Sequence, residues 1–202
     1  MSSSTKKYDV LVVDPPWSYG KPTTEKKVSR NVSSRHYKTI GAGGDGEINR
    51  HTGKGIENII NSFPMGEYAK PNAHLYLWVT NPKLPFAFRV MQEWGFVYKT
   101  TLTWIKTRKD GGVIKNGLGW FYRGATEHVL FGVRGKMGIP TALRQPNVIM
   151  APRTKHSAKP DKFYQMLDTL YSAESKIDIF ARHLRPGWDG WGDELKQCKG
   201  GE

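Results

Sequence analysis

The chain has almost no cysteine and no long apolar run, and each absence excludes a class of protein. Cys198 is the only cysteine among 202 residues, so neither an internal disulfide nor a cysteine-based metal cluster can form. The six histidines lack HExxH or similar ligand spacing, so we expect no metal. No apolar run approaches about 20 residues, and the opening MSSSTKK lacks the apolar segment of a signal peptide. We expect an intracellular protein with no membrane partner, cytoplasmic in a prokaryotic or phage-infected cell and nuclear in a eukaryote.

Acidic residues are also scarce. The chain has 18 Asp and Glu against 31 Lys and Arg, a formal net charge of +13 and a pI near 9.8. Such a balance favours a polyanionic partner, nucleic acid above all, although excess lysine can also serve solubility alone. The length suits a single domain over residues 1–202 with a full core.

Apolar, β-branched segments alternate with helical or polar ones, and no internal repeat is visible. The predicted strands are 8–13, 73–79, 99–106, 126–134, 147–151 and 176–181. The predicted helices are 54–63, 82–94 and 160–172, the last with Pro160 at a first-turn position. This alternation predicts an α/β domain with a largely parallel sheet.

Three polar stretches interrupt the pattern. Residues 18–55 hold eight Lys and Arg against three acids, residues 107–124 read TRKDGGVIKNGLGWFYRG, and residues 134–159 hold six basic residues and no acid. Long loops in a compact domain are usually functional or disordered. Because 18–55 and 107–124 directly follow predicted strands, we expect them to wall one cleft at the carboxyl ends of the sheet. A scatter of solvated charges is the plainer alternative.

The stretch VLVVDPPWSYG sets an acid, two prolines and a tryptophan directly after an apolar strand. Pro15 and Pro16 end the strand and stiffen the backbone, so that their carbonyls become acceptors at fixed positions. Asp14 adds a further acceptor, and Trp17 offers a flat face for stacking on a nucleobase. These residues suit a planar ring with an exocyclic amino group, whose two N–H donors an Asp14 oxygen and the Pro15 carbonyl can accept.

This arrangement favours methylation of an amino nitrogen. The lone pair of such a nitrogen is delocalised into the ring, and two acceptors can draw the nitrogen towards tetrahedral geometry. A sulfonium methyl donor placed in line then needs orientation and desolvation. Asp14 would stabilise the positive charge that develops on nitrogen. The plainer interpretation is a strand that ends in a proline turn with Asp14 as a cap.

The chain resembles the family of the catalytic subunit of the mRNA N6-adenosine methyltransferase, together with its bacterial and phage relatives. The resemblance rests on DPPW and on motifs in the family's order, namely HYKTI (36–40), LYLWVTN (75–81), WIKT (104–107), EHVLFGVRG (127–135), SAKPDKFY (157–164), IDIFAR (177–182) and PGWDGWGDE (186–194). It implies a Rossmann-like fold in permuted motif order, S-adenosylmethionine as cofactor, and Asp14, Pro15, Pro16 and Trp17 as the catalytic motif.

The cofactor residues also follow from this resemblance. Lys159 precedes a predicted helix start, where a cation and free N–H groups suit a carboxylate, although a solvated lysine is the local alternative. The matching lysine of relatives contacts the cofactor. Phe180 and Arg182 match an aromatic near the cofactor adenine and a pocket arginine. Asp193 and Glu194 stand where relatives commonly carry Asn-Gln or Asn-Glu that hold the ribose hydroxyls.

The base-binding candidates lie in the first two polar stretches. Tyr37, Lys38 and Thr39 match a loop that borders the acceptor site in the family, and by the same resemblance the GAGGDG run at 41–46 looks like a glycine-rich insertion in that loop. That run matches a dinucleotide fingerprint literally but lacks the strand–turn–helix context. Trp120, Tyr122 and Arg123 could wedge and hold a flipped adenine, unless the aromatic residues merely pack beneath a loop.

The predicted partner is nucleic acid, with DNA favoured over RNA because a short single domain without an appended RNA-binding module resembles prokaryotic and phage members. The alternatives are the same chemistry on RNA, N4 methylation of cytosine, and a catalytically inactive nucleic-acid-binding partner subunit. A homodimer or a second subunit is left open as a further partner.

Overall fold

The structure is a computed structural model that describes residues 5–17, 56–119, 121–154, 158–193 and 195. Seven strands form one sheet in the spatial order β5-β3-β4-β2-β1-β6-β7. Their bounds are β1 Tyr8–Val13, β2 Ala69–Val79, β3 Val97–Thr107, β4 Thr126–Arg134, β5 Val148–Pro152, β6 Lys176–Ile179 and β7 Asp189–Trp191. Within these described ranges four α-helices accompany the sheet, α1 Ile56–Asn61, α2 Met65–Tyr68, α3 Leu84–Glu93 and α4 Asp161–Leu170.

The sheet is parallel except for one strand. β1 runs parallel to β2 and β6, β3 runs parallel to β5, and β6 runs parallel to β7. Only β4 runs antiparallel, between β2 and β3. The predicted α/β class and largely parallel sheet are confirmed, and the architecture is Rossmann-like.

Both faces of the sheet pack against a buried core. Successive strand residues point to opposite faces, so a strand buried on both faces is apolar throughout. Leu11 and Val13 of β1 point into one core, which α1 and α3 cover. Val10 and Val12 point into the other core, where Phe163 and Leu167 of α4 pack. The central strand β1 is therefore apolar on both faces, and its first polar side chain after Asp9 is Asp14.

The prediction located most elements and erred mainly at their ends. The predicted helix 160–172 begins at Asp161, and Pro160 is its extended N-cap residue rather than a first-turn residue. The predicted helix 82–94 begins at Leu84, after a 3₁₀ turn at Asn81–Lys83. Among the described residues no helix is both long enough and apolar enough to cross a membrane.

The end of β6 and the strand β7 depart most from the prediction. β6 stops at Ile179 instead of continuing to residue 181, because Phe180 has a left-handed backbone with φ of 64°. The chain then returns as β7 beside β6, and the Ala181 N–H donates to the Trp191 carbonyl at 3.0 Å. β7 was not predicted because DGW is too short to show an alternation.

The strand directions bring the carboxyl ends of the parallel strands together at one edge of the sheet. β1, β2, β3, β5, β6 and β7 all end at this edge, and the antiparallel β4 begins there. The segments after β1 and β3 therefore leave the sheet at the same edge, and the cleft between 18–55 and 107–124 stays a prediction. Of the two, 107–124 is described except for Trp120, whereas 18–55 lies outside the described residues.

Candidate active site

Asp14 stands at the end of the central strand β1. Its backbone N–H donates to the Ile179 carbonyl of β6 at 3.3 Å, so the residue continues the parallel ladder by one step. Alternation along β1 sets its side chain on the face of Val10 and Val12, over which α4 packs. The carboxylate is 23% exposed, which leaves it within reach of a bound molecule.

Lys159 joins Asp14 to a second carboxylate. Its ammonium lies 3.0 Å from Asp14 Oδ1 and 3.0 Å from Glu127 Oε2, and Glu127 Oε1 lies 2.6 Å from the Lys106 ammonium. The side chains of Lys159, Glu127 and Lys106 are only 10–15% exposed. We call Asp14, Lys159, Glu127 and Lys106 the charge chain. Two acids and two ammonium groups balance, so a buried site carries no net charge from these residues.

Burial and the charges within the charge chain shift the pKa values of Glu127, Lys159 and Asp14. Burial opposes ionisation of Glu127, but the ammonium groups of Lys159 and Lys106 outweigh it and lower the pKa of Glu127 to about 2. Burial likewise opposes the charge of Lys159, and the two carboxylates raise its pKa above the ordinary value. Burial raises the pKa of Asp14 despite the opposing effect of Lys159 and, more weakly, of Arg182. Lys159 is thus buried and paired rather than a solvated lysine at a helix end.

Trp17 is placed differently from the prediction. Its ring is only 4% exposed and packs in the core beneath the edge of the sheet, and its indole N–H donates to the Trp78 carbonyl at 2.9 Å. The predicted stacking face is therefore turned into the core, because the ring gains more from burial than from solvent contact. Trp17 serves in this structure as an anchor of the turn after Asp14.

The Pro15 carbonyl is not a wholly free acceptor either. It accepts the backbone N–H of Trp17 at 2.7 Å in a tight turn. This bond fixes the direction of the carbonyl, and its second lone pair can still accept a donor. Pro15 is buried and Pro16 is half-buried, so the turn is packed against the domain.

Three of the predicted cofactor residues, Phe180, Arg182 and Asp193, follow the ends of β6 and β7 in the chain. Phe180 is the residue after Ile179, whose carbonyl accepts the Asp14 N–H. The Phe180 ring is half-buried and packs edge-on against Trp191, with the ring centroids 5.3 Å apart. Arg182 is half-buried, and its charge acts on the pKa of Asp14. Asp193 is exposed after β7. The left-handed backbone of Phe180 is a strained conformation for an aromatic residue, and such strain concentrates at functional sites.

A further acid lies beneath this edge. Asp178 of β6 is 7% exposed and accepts the Tyr164 hydroxyl of α4 at 2.9 Å. Burial, with a smaller contribution from the charge of Asp14, raises the pKa of Asp178 to about 7. The Arg185 guanidinium lies 3.6 Å from the centre of the Tyr164 ring and covers the pair. This group supports the floor of the site and was not predicted.

The predicted base-binding residues are only partly described. Tyr122 and Arg123 are exposed on the connection between β3 and β4, and the Arg123 guanidinium donates to the Gly119 carbonyl at 3.3 Å. They do not pack beneath the loop, which was the plainer alternative. The remaining predicted residues, Tyr37, Lys38, Thr39, Trp120 and Glu194, lie outside the described residues, as does GAGGDG at 41–46.

Glu127 and Lys106 are further site residues that the sequence analysis did not single out. Both lie within motifs that carried the resemblance, EHVLFGVRG and WIKT. The sequence did contain a signal, since Lys106 and Glu127 are charged residues near the ends of predicted strands. A charge in such a place is costly to bury unless it is paired. The pairing itself joins β3 to β4 and to the segment before α4, and no local pattern shows a contact of that kind.

Comparisons with known proteins show which family and which relatives this chain is similar to. A family profile described as MT-A70 matches residues 8–194. The type II methyltransferase M.MunI from Mycoplasma sp is 28% identical over 96% of this chain and 80% of its own length. The N6-methyladenosine RNA methyltransferase MTA1 of Cryphonectria parasitica is 26% identical over 93% of this chain and 52% of its own length. The human N(6)-adenosine-methyltransferase catalytic subunit METTL3 is 31% identical over 60% of this chain and 21% of its own length.

Proposed function

Because the chain belongs to the MT-A70 family and is an N6-adenine methyltransferase, we propose that it methylates adenine in DNA at the site around Asp14. The observation that carries this proposal is the charge chain, which holds a partly exposed Asp14 carboxylate at the end of the central strand. Relatives of this family act on nucleic acid, and the net charge of +13 suits such a substrate.

Asp14 acts on the amino group of the target adenine in this proposal. Lys159 occupies Oδ1, so Oδ2 can accept one N–H of the amino group, and the Pro15 carbonyl can accept the other. As the nitrogen attacks the methyl group, positive charge develops on it next to the Asp14 carboxylate. Lys159 favours the ionised form of that carboxylate and fixes its position, and Glu127 in turn fixes Lys159. The new N–C bond would form as the C–S bond of the sulfonium donor breaks, and the methylated, positively charged nitrogen then gives its proton to water, because its acidity has risen.

S-adenosylmethionine supplies the electrophilic methyl group, and the family implies its use. The residues beyond β6 and β7 fit its chemistry. Arg182 offers a cation for its carboxylate, Asp193 offers an acceptor for its ribose diol, and Phe180 offers an apolar ring beside them. Lys159 is a second cation for the cofactor carboxylate, although it already balances two protein acids.

DNA is proposed over RNA on the extent of the similarity. The match to the type II methyltransferase covers nearly all of this chain and most of that protein. The chain spans only about half of the RNA methyltransferase MTA1 and about a fifth of METTL3, so the substrates and partners of those whole proteins extend less readily to it. RNA is retained as the second candidate because MTA1 aligns along nearly the whole of this chain.

Single-turnover methylation with labelled S-adenosylmethionine tests the proposal. The purified chain is offered adenine-containing DNA, the matching RNA and DNA without adenine, and the products are analysed as nucleosides. N6-methyladenine should form, faster in DNA, and N4-methylcytosine should not. Asp14→Ala should slow transfer by about 10²–10³ because one preorganised electrostatic partner is lost. Asp14→Asn should be affected less, because its amide oxygen is still an acceptor.

A matched control removes an acid of the same kind elsewhere. Asp110 pairs with Arg108 at 2.8 Å on the exposed connection between β3 and β4. Asp110→Ala should transfer methyl groups at the wild-type rate, and the folded fraction of Asp14→Ala is checked by its melting temperature. Methyl transfer by Asp14→Ala at the wild-type rate would remove Asp14 from the active site. Preferential methylation of the RNA would transfer the proposal to RNA.

A further inference from the structure

The connection between β3 and β4 exposes two neighbouring aromatic rings. Phe121 is 97% exposed and Tyr122 is 90% exposed, and Leu118 nearby is 77% exposed. We call Phe121 and Tyr122 the aromatic tip. Single exposed apolar residues are ordinary, but adjacent, almost fully exposed large side chains often mark a binding surface.

Backbone hydrogen bonds within the connection hold the turn that carries the aromatic tip. The Gly124 N–H donates to the Leu118 carbonyl at 3.0 Å, and a Cβ at Gly117 would lie only 2.0 Å from the Gly124 oxygen. Glycine is therefore required for this close approach. At the base of the connection, the Ile114 N–H donates to the Lys106 carbonyl at 3.0 Å. The two rings are thus presented by a shaped turn, which lowers the entropic cost of binding through them.

The connection begins and ends at the charge chain. It leaves β3 just after Lys106 and enters β4 just before Glu127, and these two side chains are paired at 2.6 Å. Glu127 is in turn tied through Lys159 to Asp14. The aromatic tip therefore projects from the same edge of the sheet that holds the proposed acceptor of the target amino group.

The charge around the aromatic tip favours nucleic acid over another protein. Residues 107–126 contain four basic residues, Arg108, Lys109, Lys115 and Arg123, and only one acid, Asp110. The acid is already paired with Arg108 at 2.8 Å. Lysine is depleted from the cores of protein–protein interfaces, whereas aromatic rings interspersed with cations are typical of surfaces that bind unpaired bases.

We propose that the aromatic tip stacks on the nucleobases next to the target adenine once that adenine has left the helix. This inference rests on the proposed function, because an adenine within a duplex cannot reach Asp14 without leaving its stack. Its departure exposes the faces of its neighbours, and Phe121 and Tyr122 supply replacement stacking partners. Arg123 and Lys115 lie on the same connection and contact the flanking phosphates.

Binding of fluorescent DNA to the full chain tests this inference. The probes are a single-stranded oligonucleotide with one adenine and the matching duplex, and dissociation constants are measured by anisotropy. The double variant Phe121→Ala/Tyr122→Ala should bind the single strand at least about tenfold more weakly, because each lost base–ring stack contributes substantially to affinity. The double variant Phe121→Tyr/Tyr122→Phe keeps both rings and should bind like the wild type.

A control at the opposite end of β3 separates stacking from general exposure. Val97 is 63% exposed, and Val97→Ala should leave DNA affinity unchanged. All variants should bind S-adenosylmethionine equally in calorimetry, which shows that the domain is folded. DNA binding by Phe121→Ala/Tyr122→Ala at wild-type affinity would overturn the inference. A second result would also overturn it: the wild type sediments as a dimer, and the alanine variant sediments as a monomer with unchanged DNA affinity. The aromatic tip would then be a subunit contact.

The outcomes also separate this inference from the proposed function. If the wild type methylates DNA and the alanine variant binds and methylates equally well, the inference fails and the function stands. If the wild type methylates no adenine but the alanine variant still binds the single strand at least tenfold more weakly, the stacking stands and the proposed function fails.

Discussion

Replacing Glu127 by glutamine should reveal how strongly the charge chain stabilises the fold. Glu127 lies 2.6 Å from the Lys106 ammonium and 3.0 Å from that of Lys159, and its side chain is 15% exposed. Its pKa falls from 4.5 to about 2 on folding. Each pKa unit corresponds to about 1.4 kcal/mol, so the ionised carboxylate contributes about 3 kcal/mol at pH 7. Breaking a buried pair by removing one partner costs about 3–5 kcal/mol, which agrees.

The pH dependence of this loss distinguishes charge from packing. A folded-state pKa below the unfolded value gives stability that is present above about pH 4.5 and lost as the pH falls towards about 2. The difference between wild type and Glu127→Gln should therefore shrink from about 3 kcal/mol at pH 7 to about 1.4 kcal/mol at pH 3. At pH 7 the melting temperature should fall by about 6–12 °C for a chain of this size.

Urea unfolding followed by tryptophan fluorescence at pH 7, 5 and 3 measures this effect. Asp110→Asn is the control. The Asp110 side chain is 61% exposed and pairs with Arg108, so its replacement should leave the unfolding midpoint unchanged. Unfolding curves of Glu127→Gln that superimpose on the wild type at pH 7 would refute the contribution of Glu127. A loss of equal size at all three pH values would refute its electrostatic origin.

Two further variants address neighbouring groups. Lys159→Ala should weaken S-adenosylmethionine binding by about tenfold or more in calorimetry, because a cation proposed for the cofactor carboxylate is lost; unchanged affinity would confine Lys159 to holding Asp14. The pKa of Asp178 is about 7 in the folded protein and 3.8 ordinarily, so the wild type should lose stability as the pH rises from about 4 to about 7. Asp178→Asn has no such group, so its stability relative to the wild type should increase over that interval. Urea midpoints at pH 4 and 8 measure this, and a pH-independent difference would contradict it.

The positions of most strands along the chain and the place of Asp14 were predictable because both depend on local patterns. An apolar strand that ends in Asp14 and two prolines must emerge at the edge of a sheet, and the structure confirms that position. The direction of Trp17 was not predictable, because its burial depends on core residues from other segments and on the Trp78 carbonyl that accepts its indole N–H. Local sequence shows that a ring is present, but only the packed neighbours decide which face it turns to solvent.

The pairing of the charge chain was equally hidden. Lys159 was assigned to the cofactor and Asp14 to the target base, yet the two side chains are 3.0 Å apart. Glu127 comes from a strand whose antiparallel direction was not predicted, and only that direction brings its first residues to the edge where β1 ends. Contacts between residues far apart in sequence follow from topology, which single segments do not encode.

The antiparallel direction of β4 has a consequence for how such a domain can be altered. Both ends of the segment between Thr107 and Thr126 are fixed in adjacent strands of one hairpin, so residues can be added to or removed from its middle without shifting the register of Val129 against Leu102. A parallel crossover, whose helix must span the sheet, has no such freedom. The hairpin is therefore a suitable place to exchange one segment for another while the charge chain is preserved.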